Sequence, residues 1–417
     1  MSCHSAFVPT RAAALARIAA VRPADYARTR NAIEGAVTQL SPYITHGLVT
    51  LPEVLARVAV RHRLDLQHKF VFELGWREFF RHVWAQRGDD AILQSLHEGP
   101  MPADAYASEL PIDIRQARTG VPAIDMAVRT LYATGMLHNH ARMWLASYVV
   151  HLRKVHWRAG ADWLYAHLLD GDLASNHLSW QWVAGTGSSK PYLFNAENVA
   201  RYAPAGWHSE GSVIDRSYDA LDVIARSRWT PPVSAARDGV DEPERLHRPS
   251  AMGAVTAPLA IDLVGRDVWL VHPWALDEPP RDLPAGCLCV GLLLSDFHDV
   301  WPWSPARWAF VGARLAEVAP LSLSGSREHA TLVLAGARSV QTLADPHVDA
   351  LLPASVIRRP APRLFAQVER PCASFSRWWT GATRGAQTLH ELPGLSQWLD
   401  RGSAGPLFDQ SEQAELS

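Results

Sequence analysis

The chain has 417 residues, enough for two or three domains, and its net charge of −2 at pH 7 argues against a generally basic nucleic-acid-binding protein. Its four cysteines are scattered and form no CxxC pair, which argues against a zinc or iron–sulfur site and indicates reduced thiols in a cytoplasmic protein. The N-terminus lacks the pattern of a signal peptide, and no segment has the roughly 20 uninterrupted apolar residues of a membrane span.

Helical patterns open the chain. Residues 10–22 predict a short helix, and Thr38 and Ser41 precede a second helical pattern over residues 48–60. Hydroxyl side chains before a helix ordinarily cap it. The free N–H groups of a first helical turn also bind phosphate, so both a plain cap and a phosphate site stay open for Thr38 and Ser41.

Residues 67–86 form a strong helical pattern, QHKFVFELGWREFFRHVWAQ. Its core face is predicted to consist of Phe70, Leu74, Val83 and Trp84. Glu73, Trp76 and Phe80 share another face at i, i+3 and i+7. Glu73 and Arg77 are spaced as an i, i+4 ion pair, and their apolar neighbours predict that this pair is partly buried.

A helix is predicted from Pro122 to Thr134, ending at Gly135, and another begins near His138. Three side chains share one face of this second helix: Asn139, Arg142 and Met143. His138 and His140 stand two residues apart, a poor spacing for two metal ligands on a helix, so capping or packed histidines are predicted. A further helix is predicted over residues 159–169.

Residues 170–191, DGDLASNHLSWQWVAGTGSSKP, do not fit a simple amphipathic helix. Polar groups fall on positions that would otherwise be core, beside two large aromatic rings. These polar and aromatic residues are Asp170, Asp172, Asn176, Trp180 and Trp182. Because buried polar groups need partners, the cluster is predicted to face a ligand.

The pattern changes after a Pro-rich stretch over residues 228–258, which predicts an exposed linker. Short apolar runs then predict three strands and two shorter candidates in a small parallel α/β domain: 267–271, 287–294, 330–335, 339–342 and 354–357. An amphipathic helix is predicted over residues 304–318. No G-x-G-x-x-G follows a strand, so a dinucleotide site in this domain is unsupported, and the last dozen residues predict a frayed tail.

Three motifs make the block from Tyr26 to Pro204 resemble the FAD-binding helical domain of the photolyase/cryptochrome family. They are FELGWREFF at 72–80, GVPAID through ATGMLHNHARM at 120–143, and DGDLASN through WQW at 170–182. All three occur in the family's order and approximate spacing. The resemblance implies FAD as the cofactor, and a mainly α FAD-binding domain followed by a smaller, Rossmann-like α/β domain.

Carried over position by position, the resemblance implies this cofactor-binding set: Tyr26, Thr38, Leu40, Ser41, Arg77, Asn139, Arg142, Asp170, Asp172 and Asn176. The two hydroxyl residues would hold the flavin phosphates, and Tyr26 and Arg77 would support the bent cofactor. One of the two aspartates would pair with Arg142. Asp172 would lie near the isoalloxazine edge, and Asn139 against the reactive N5.

The resemblance also implies an electron relay. Trp180 would be the first donor to the flavin and Trp157 the second. The family's third tryptophan is not evident, and Tyr106 is the nearest aromatic residue in that loop. Val37 and Gln39 depart from the family's usual threonine and arginine in the phosphate loop.

A substrate pocket for cyclobutane pyrimidine dimers in UV-damaged DNA is implied at Glu73, Trp76, Met143 and Trp182. Flipping such a lesion out of the duplex costs only a few kcal/mol, and tryptophan faces can stack on the bases. The catalytic set is Glu73, Asn139, Trp180 and Trp157. Related enzymes for (6-4) lesions usually carry histidines where this chain has Asn139 and Met143, which favours cyclobutane dimers.

The second half resembles the family's α/β antenna domain, which ordinarily comes before the FAD domain. The segments VWLVHPWAL, GLLLSDF through SPARWAF, and FSRWW carry this likeness. The predicted organisation is a FAD-binding domain at 1–225, a linker at 226–260, an antenna-like domain at 261–395 and a tail at 396–417. An antenna chromophore of the folate or deazaflavin type is the further pigment that this domain could hold.

Three hypotheses follow: a light-driven repair enzyme, a cryptochrome-like photoreceptor without repair activity, and a helical protein with a Trp-rich core that binds no FAD. The first requires a local basic rim for DNA phosphates, and the candidate cations are Arg77, Arg81, Arg142, Arg153, Lys154, Arg158 and Lys190. The expected assembly is a monomer in the cytoplasm.

Overall fold

The computed structural model describes residues 7–234, 237–249 and 260–403. Over residues 11–225 every regular element is a helix. The α-helices of this region are α1 (Arg11–Ala19), α2 (Pro23–Thr29), α3 (Ser41–Thr45), α4 (Leu51–Arg61), α5 (Lys69–Arg87), α6 (Asp90–Leu93), α7 (Ile112–Arg115), α8 (Pro122–Thr134), α9 (Asn139–Ser147), α10 (Trp157–His167), α11 (Leu173–Ala184), α12 (Ala196–Tyr202) and α13 (Tyr218–Ala225). A π-helical turn, Tyr148–Leu152, follows α9, and 3-10 turns lie at Ala103–Ala105 and Ala205–Trp207.

Residue Thr50, rather than the two hydroxyl residues suggested by the sequence, caps α4. Its side chain accepts a hydrogen bond from the Glu53 N–H. Thr38 instead accepts a 3.4 Å bond from the Leu40 N–H, and Ser41 is the first residue of the short helix α3. A plain cap on α4 by Thr38 or Ser41 is therefore wrong, because a separate helix and a turn intervene.

The predicted core face of α5 is confirmed. All four residues predicted for this face are buried: Phe70, Leu74, Val83 and Trp84.

The predicted end of α8 is also confirmed. Gly135 adopts φ 67°, a left-handed conformation, and a Cβ there would lie 2.5 Å from the Leu169 side chain. Glycine is therefore required both for the turn and for the close approach.

The two histidines near α9 have structural roles, as predicted. His138 caps the helix by accepting a 3.1 Å bond from the His140 N–H. The His140 ring stacks on Trp144 with 5.3 Å between ring centroids, and its Nδ1 lies 2.6 Å from the Asn31 carbonyl oxygen. Among the described residues, no group of histidine, cysteine or acidic side chains could hold a metal ion.

The described residues from 260 onward form an α/β unit around a five-stranded sheet. Its strands are β1 (Asp267–Val271), β2 (Leu288–Leu294), β3 (Leu321–Gly325), β4 (Ser339–Leu343) and β5 (Ile357–Arg359). Its helices are α14 (Ala260–Leu263), α15 (Ser295–His298), α16 (Pro305–Val318), α17 (Arg327–Leu334), α18 (Phe375–Ala382) and α19 (Pro393–Ser403), with a 3-10 turn at Leu389–Glu391. The strand order is β3-β2-β1-β4-β5 with every pair parallel, a doubly wound arrangement. The predicted fold class is confirmed.

One predicted strand is wrong. Residues 330–334 belong to α17, whose start is capped by Ser326 accepting from the His329 N–H, and Ala335 follows its end. The third strand is instead Leu321–Gly325, a segment in which serines alternate with leucines. A six-residue apolar run does not distinguish a buried strand from a buried helix by its pattern alone. The last candidate strand is shifted, to Ile357–Arg359.

Two hydrophobic clusters make up the core, and they do not follow chain order. One contains buried residues from the stretches 7–92, 165–178 and 263–395, so the first helices pack with the sheet. The other lies within residues 110–221. The domain boundary expected at residue 225 stays a prediction.

The described part of the expected linker contacts both halves of the protein. Leu246 pairs with Trp303 in an antiparallel bridge, and Glu242 forms a 2.7 Å ion pair with Arg115. The segment expected to be a tail from residue 396 begins inside α19, where Trp398 contacts Arg57 of α4. Residues 404–417 lie outside the described part of the chain. None of the helices in the described ranges is long and apolar enough to cross a membrane.

Candidate functional site

A cavity of about 530 Å³ lies between α5, α9, α11 and the turns that precede α3 and α11. This volume falls within the range of ordinary ligand pockets, roughly 300–1,000 Å³. Most of the site residues expected from the sequence line it: Tyr26, Thr38, Ser41, Glu73, Trp76, Arg77, Asn139, Arg142, Met143, Asp170, Asp172, Asn176 and Trp180. Two parts of its wall differ in burial and charge. We call Arg77, Arg142, Asp170 and Asp172 the floor, and Glu73, Trp76, Asn139 and Met143 the mouth.

The central contact of the floor is the ion pair between Arg142 and Asp170. One guanidinium nitrogen of Arg142 lies 2.8 and 2.9 Å from the two carboxylate oxygens, and the Arg142 Nε donates to the Leu137 carbonyl. Burial by itself would raise the pKa of the Asp170 carboxyl, but Arg142, Ser41 and Arg77 together hold that pKa below its usual value. The floor therefore keeps a charged pair at neutral pH.

Asp172 has different partners. Its carboxylate caps α11 by accepting bonds from the Ser175 N–H and hydroxyl, at 2.8 and 2.9 Å. It also pairs with Arg81, which contacts Asp345 of the α/β unit at 3.1 Å. Burial opposes ionisation of Asp172, but Arg81 and His347 outweigh it and lower its pKa. Of the two aspartates that the resemblance offered as partners of Arg142, the structure selects Asp170.

The expected Glu73–Arg77 ion pair is wrong: these two described residues contact different partners. Arg77 donates a 3.1 Å bond to the Thr45 hydroxyl, which in turn donates to the Asp170 backbone carbonyl at 3.3 Å. Glu73 lies 3.4 Å from the Arg30 Nε. The spacing i, i+4 allows contact, but two long-range partners draw the side chains apart.

The mouth is more exposed and less tightly paired. The Glu73 side chain is 37% exposed, and partial burial raises the pKa of its carboxyl despite the nearby Arg30. Trp76 stacks on Phe375 of α18, with 4.2 Å between centroids and 11° between planes. One face of Trp76 is thus occupied by the α/β unit. The amide of Asn139 approaches the Met143 sulfur at 3.7 Å.

Trp180 forms a wall of the cavity and is 2% exposed. It packs directly on Gly160 of α10, where a Cβ would lie 2.3 Å from the indole ring. Asn176, one turn earlier in α11, donates a 2.9 Å bond to the Ala161 carbonyl. The glycine in α10 therefore leaves the space that the Trp180 ring occupies.

Three expected site residues, all in the described part of the chain, lie outside the cavity lining. Leu40 is buried in the core. Trp157 is buried, donates to the Ser95 hydroxyl at 2.8 Å, and borders a second cavity together with Tyr106. Trp182 is 41% exposed, and its ring lies 5.7 Å from that of Tyr192.

Sequence reasoning missed several lining residues, among them Ile33, Phe7, Met136, Leu137, Val183 and Trp207. Their signal in the sequence is only that of ordinary core residues. It also missed Arg81 as a partner of Asp172. Arg81 stands four residues after Arg77 and therefore on the same helix face, which was a usable signal.

The basic rim expected for DNA stays a prediction, and most of its candidate cations have partners within the protein. Arg77, Arg81 and Arg142 surround the floor, as described above. Arg153 pairs with the buried Asp113, Lys154 donates to three backbone carbonyls, and Arg158 pairs with Asp162. Of the seven candidates, Lys190 is exposed.

Comparison with known proteins gives a consistent result. Residues 70–221 match the family model described as the FAD binding domain of DNA photolyase. A deoxyribodipyrimidine photo-lyase from Streptomyces griseus is 37% identical over 166 residues, 40% of this chain and 36% of that protein. A chloroplastic/mitochondrial cryptochrome DASH from Ostreococcus tauri is 30% identical over 248 residues, 57% of this chain and 45% of that protein. The matched segments thus span less than half of each relative's length.

A solved structure of a Synechocystis cryptochrome is similar with a TM-score of 0.42 and 29% identity, covering 47% of this chain and 44% of that one. FAD is the cofactor that the matched domain binds, and the cavity residues fit it. The floor supplies paired donors and acceptors for a polar ring edge, Thr38 and Ser41 supply hydroxyls, and Trp180 and Val183 supply apolar surface for a planar heterocycle. An antenna pigment stays a prediction.

Proposed function

Because this chain belongs to the photolyase/cryptochrome family, we propose that it repairs cyclobutane pyrimidine dimers in DNA, using light and bound FAD. The observation that carries the proposal is the division of one cavity into two parts. A buried, charged floor suits the cofactor, and an open, largely apolar mouth with one carboxyl group suits a flipped-out lesion.

The floor residues would hold and orient FAD. Arg142 and Asp170 form a fixed ion pair at the polar edge, and Arg77 holds the Asp170 backbone through the Thr45 hydroxyl. Their geometry is set before any ligand binds, since each group is hydrogen-bonded within the protein. When bound and reduced, FAD would supply under light the electron that opens the cyclobutane ring and would take it back afterwards.

The mouth residues would hold the lesion. Trp76 and Met143 provide apolar surface for two thymine rings, and Glu73 provides a hydrogen-bonding carboxyl beside them. Burial raises the pKa of Glu73, so its carboxyl takes a proton more easily than an exposed glutamate. A protonated carboxyl can donate a hydrogen bond to a base carbonyl that gains negative charge.

A second candidate function is a cryptochrome-like photoreceptor that uses the same flavin without repair. Relatives named cryptochrome DASH, at 30 and 32% identity, favour it, as does the scarcity of free cations among the expected rim residues. Such a protein need not prefer dimer-containing DNA over undamaged DNA.

The direct test uses UV-irradiated oligothymidylate and protein carrying fully reduced FAD. We expect dimers to disappear under blue light and to persist in the dark. Binding of the same oligonucleotide before and after UV irradiation is measured in parallel. Persistence of dimers under light would overturn repair, and equal affinity for both DNAs would support the photoreceptor.

A further inference from the structure

The turn that carries the floor aspartates is held from behind by an arginine of the α/β unit. Arg307, in α16, is fully buried. Its two terminal nitrogens donate to the Gly171 carbonyl at 2.6 Å and the Tyr165 carbonyl at 3.1 Å. Gly171 is the residue between Asp170 and Asp172, so this contact fixes the backbone between both carboxylates.

The packing around this guanidinium leaves little freedom. Its central carbon lies 3.9 Å from the centre of the Trp303 ring and 4.7 Å from that of Tyr165. A Cβ on Gly171 would lie 2.5 Å from the Arg307 Nη1. Glycine at this position is thus what admits the guanidinium against the turn.

Other groups of the α/β unit hold the same turn. His347 Nε2 accepts a 3.3 Å bond from the Leu173 N–H, and its ring is stacked on Trp274 at 4.3 Å. The Ser304 N–H donates to the Ala166 carbonyl at 2.8 Å. These contacts join α16 and its surroundings to the backbone on both sides of the floor aspartates.

Charge adds to this geometry. The positive charge of Arg307 lies behind two ionised carboxylates and interacts with both. A buried charge loses solvation and is retained only where several partners compensate it. Arg307 has two carbonyl acceptors, two aromatic faces and two nearby carboxylates that compensate its burial, although its buried Nε makes no hydrogen bond to a described residue.

We propose that Arg307 is a positioning residue for the FAD site: it fixes the Asp170–Asp172 turn and so allows the α/β unit to set the affinity and reduction potential of bound flavin. The proposal rests on the FAD site of the proposed function but not on repair. The α/β unit then supports the FAD pocket directly, whether or not it also holds an antenna pigment. Removal of this charge disfavours electrons on the flavin, so the midpoint potential falls.

The test compares Arg307→Met with Arg314→Met. Arg314 lies two turns further along the same helix and is equally buried, but its partners, Leu276, Glu278 and Glu317, all belong to the α/β unit. FAD affinity is measured by titration of the apoprotein, the midpoint potential by redox titration, and the free energy of unfolding by denaturant. None of these measurements uses repair, so a failure of repair and a failure of this inference are distinguishable.

We expect Arg307→Met to weaken FAD binding about tenfold to a hundredfold, by analogy with the loss on mutating the outer-shell partners of metal ligands, and to lower the midpoint potential. Arg314→Met should change the FAD dissociation constant by less than about twofold and leave the midpoint potential nearly unchanged. Its loss of stability should be similar to that of Arg307→Met. Equal FAD affinity and potential in the two variants would overturn the inference.

If Arg307→Met does not fold, the comparison of Arg307→Lys with Arg314→Lys tests the inference instead. Lysine keeps the positive charge but cannot donate to the two carbonyl groups as the guanidinium does. FAD binding that is weaker in Arg307→Lys but not in Arg314→Lys supports the inference. Unchanged FAD binding in Arg307→Lys overturns it.

Discussion

The floor and the mouth of the cavity share helices α5 and α9 yet differ in how their side chains are held. The floor carboxylates are at most 7% exposed, and each has an arginine partner. In the mouth, the Glu73 side chain is 37% exposed, with one arginine at 3.4 Å. The same two helices thus contribute to both a preformed polar site and an adaptable opening.

This difference indicates where binding energy can come from. A floor whose charges are already paired loses little conformational freedom when a cofactor binds. A mouth whose carboxyl is half-buried and weakly paired can change protonation state and partners when a substrate enters.

Asp170→Asn should have the largest effect. It leaves the Arg142 guanidinium without its counter-ion in the floor, and breaking a buried pair costs about 3–5 kcal/mol. We expect purified protein with little flavin and a reduced free energy of unfolding, measured by absorbance and denaturant titration. The control is Asp222→Asn, which breaks an exposed pair with Arg226 and should cost less than about 0.5 kcal/mol. Full flavin content in Asp170→Asn would contradict the role of the floor.

Trp180→Phe tests the cavity wall. We expect light-driven reduction of bound FAD to slow by about tenfold or more, equivalent to about 1.4 kcal/mol in barrier height. Repair by protein reduced chemically beforehand should be unchanged. The control is Trp163→Phe, a buried ring that packs on Tyr132 and His167. Photoreduction at the same rate in both variants would refute a donor role for Trp180.

Glu73→Gln tests the mouth alone. Glutamine keeps the size of the side chain but cannot ionise or donate as a carboxylic acid does. We expect repair per absorbed photon to fall about a hundredfold, as when one charge-stabilising donor is removed elsewhere, while flavin content stays the same. The control is Glu197→Gln, whose side chain is 80% exposed. Loss of FAD from Glu73→Gln would show that Glu73 contributes to cofactor binding and does not belong to the mouth alone.

The two parts should also respond to different pH ranges. The pKa of Glu73 is raised above its usual 4.5, so its contribution to stability is full below that value and is lost as pH rises through the raised pKa. The pKa of Asp170 is lowered below its usual 3.8, so its contribution is present above that value and is lost as pH falls through the lowered pKa. Repair, which uses the protonated Glu73 carboxyl, should therefore fall as pH rises above 4.5, whereas the contribution of Asp170 to flavin retention should be lost only below pH 3.8.

The measurement is the repair rate and the flavin content of wild type and Glu73→Gln across this pH range. The fall in repair with rising pH should vanish in the variant. A variant that keeps the same profile would assign the titration to another group.

Trp182→Ala should have the smallest effect. The ring is 41% exposed and leans on Tyr192 outside the cavity lining. We expect affinity for dimer-containing oligonucleotide to fall less than about threefold, below the usual contribution of a stacked base, about 1–3 kcal/mol. A loss of tenfold or more, measured by fluorescence anisotropy, would return Trp182 to the lesion contact that the family resemblance implies.

Local patterns in the sequence predicted most of the helices and part of the site. Regular spacing placed Asn139, Arg142 and Met143 on one helix face, and all three line the cavity. The same reasoning placed Glu73 and Trp76 together on α5. Such predictions succeed because a helix converts sequence spacing into a shared face, whatever the rest of the chain does.

The tertiary structure alone decided the partners. Spacing allowed Glu73 to pair with Arg77, but Arg30 and Thr45, distant in sequence, contact them instead. The choice of Asp170 for Arg142 likewise depends on long-range packing. Residues 330–334 form part of a helix, and the edge position of the sheet beside β2 is taken by the strand at 321–325.

The sequence by itself thus determined the helical framework, the parallel α/β unit and the motifs that identify a FAD site. The tertiary structure decided which charges pair, which tryptophans reach the cavity, and that Arg307 supports the Asp170–Asp172 turn. The physical reason is that helical periodicity is a local property of the backbone. The partner of a buried charge depends on which distant groups arrive within hydrogen-bond distance when the core closes.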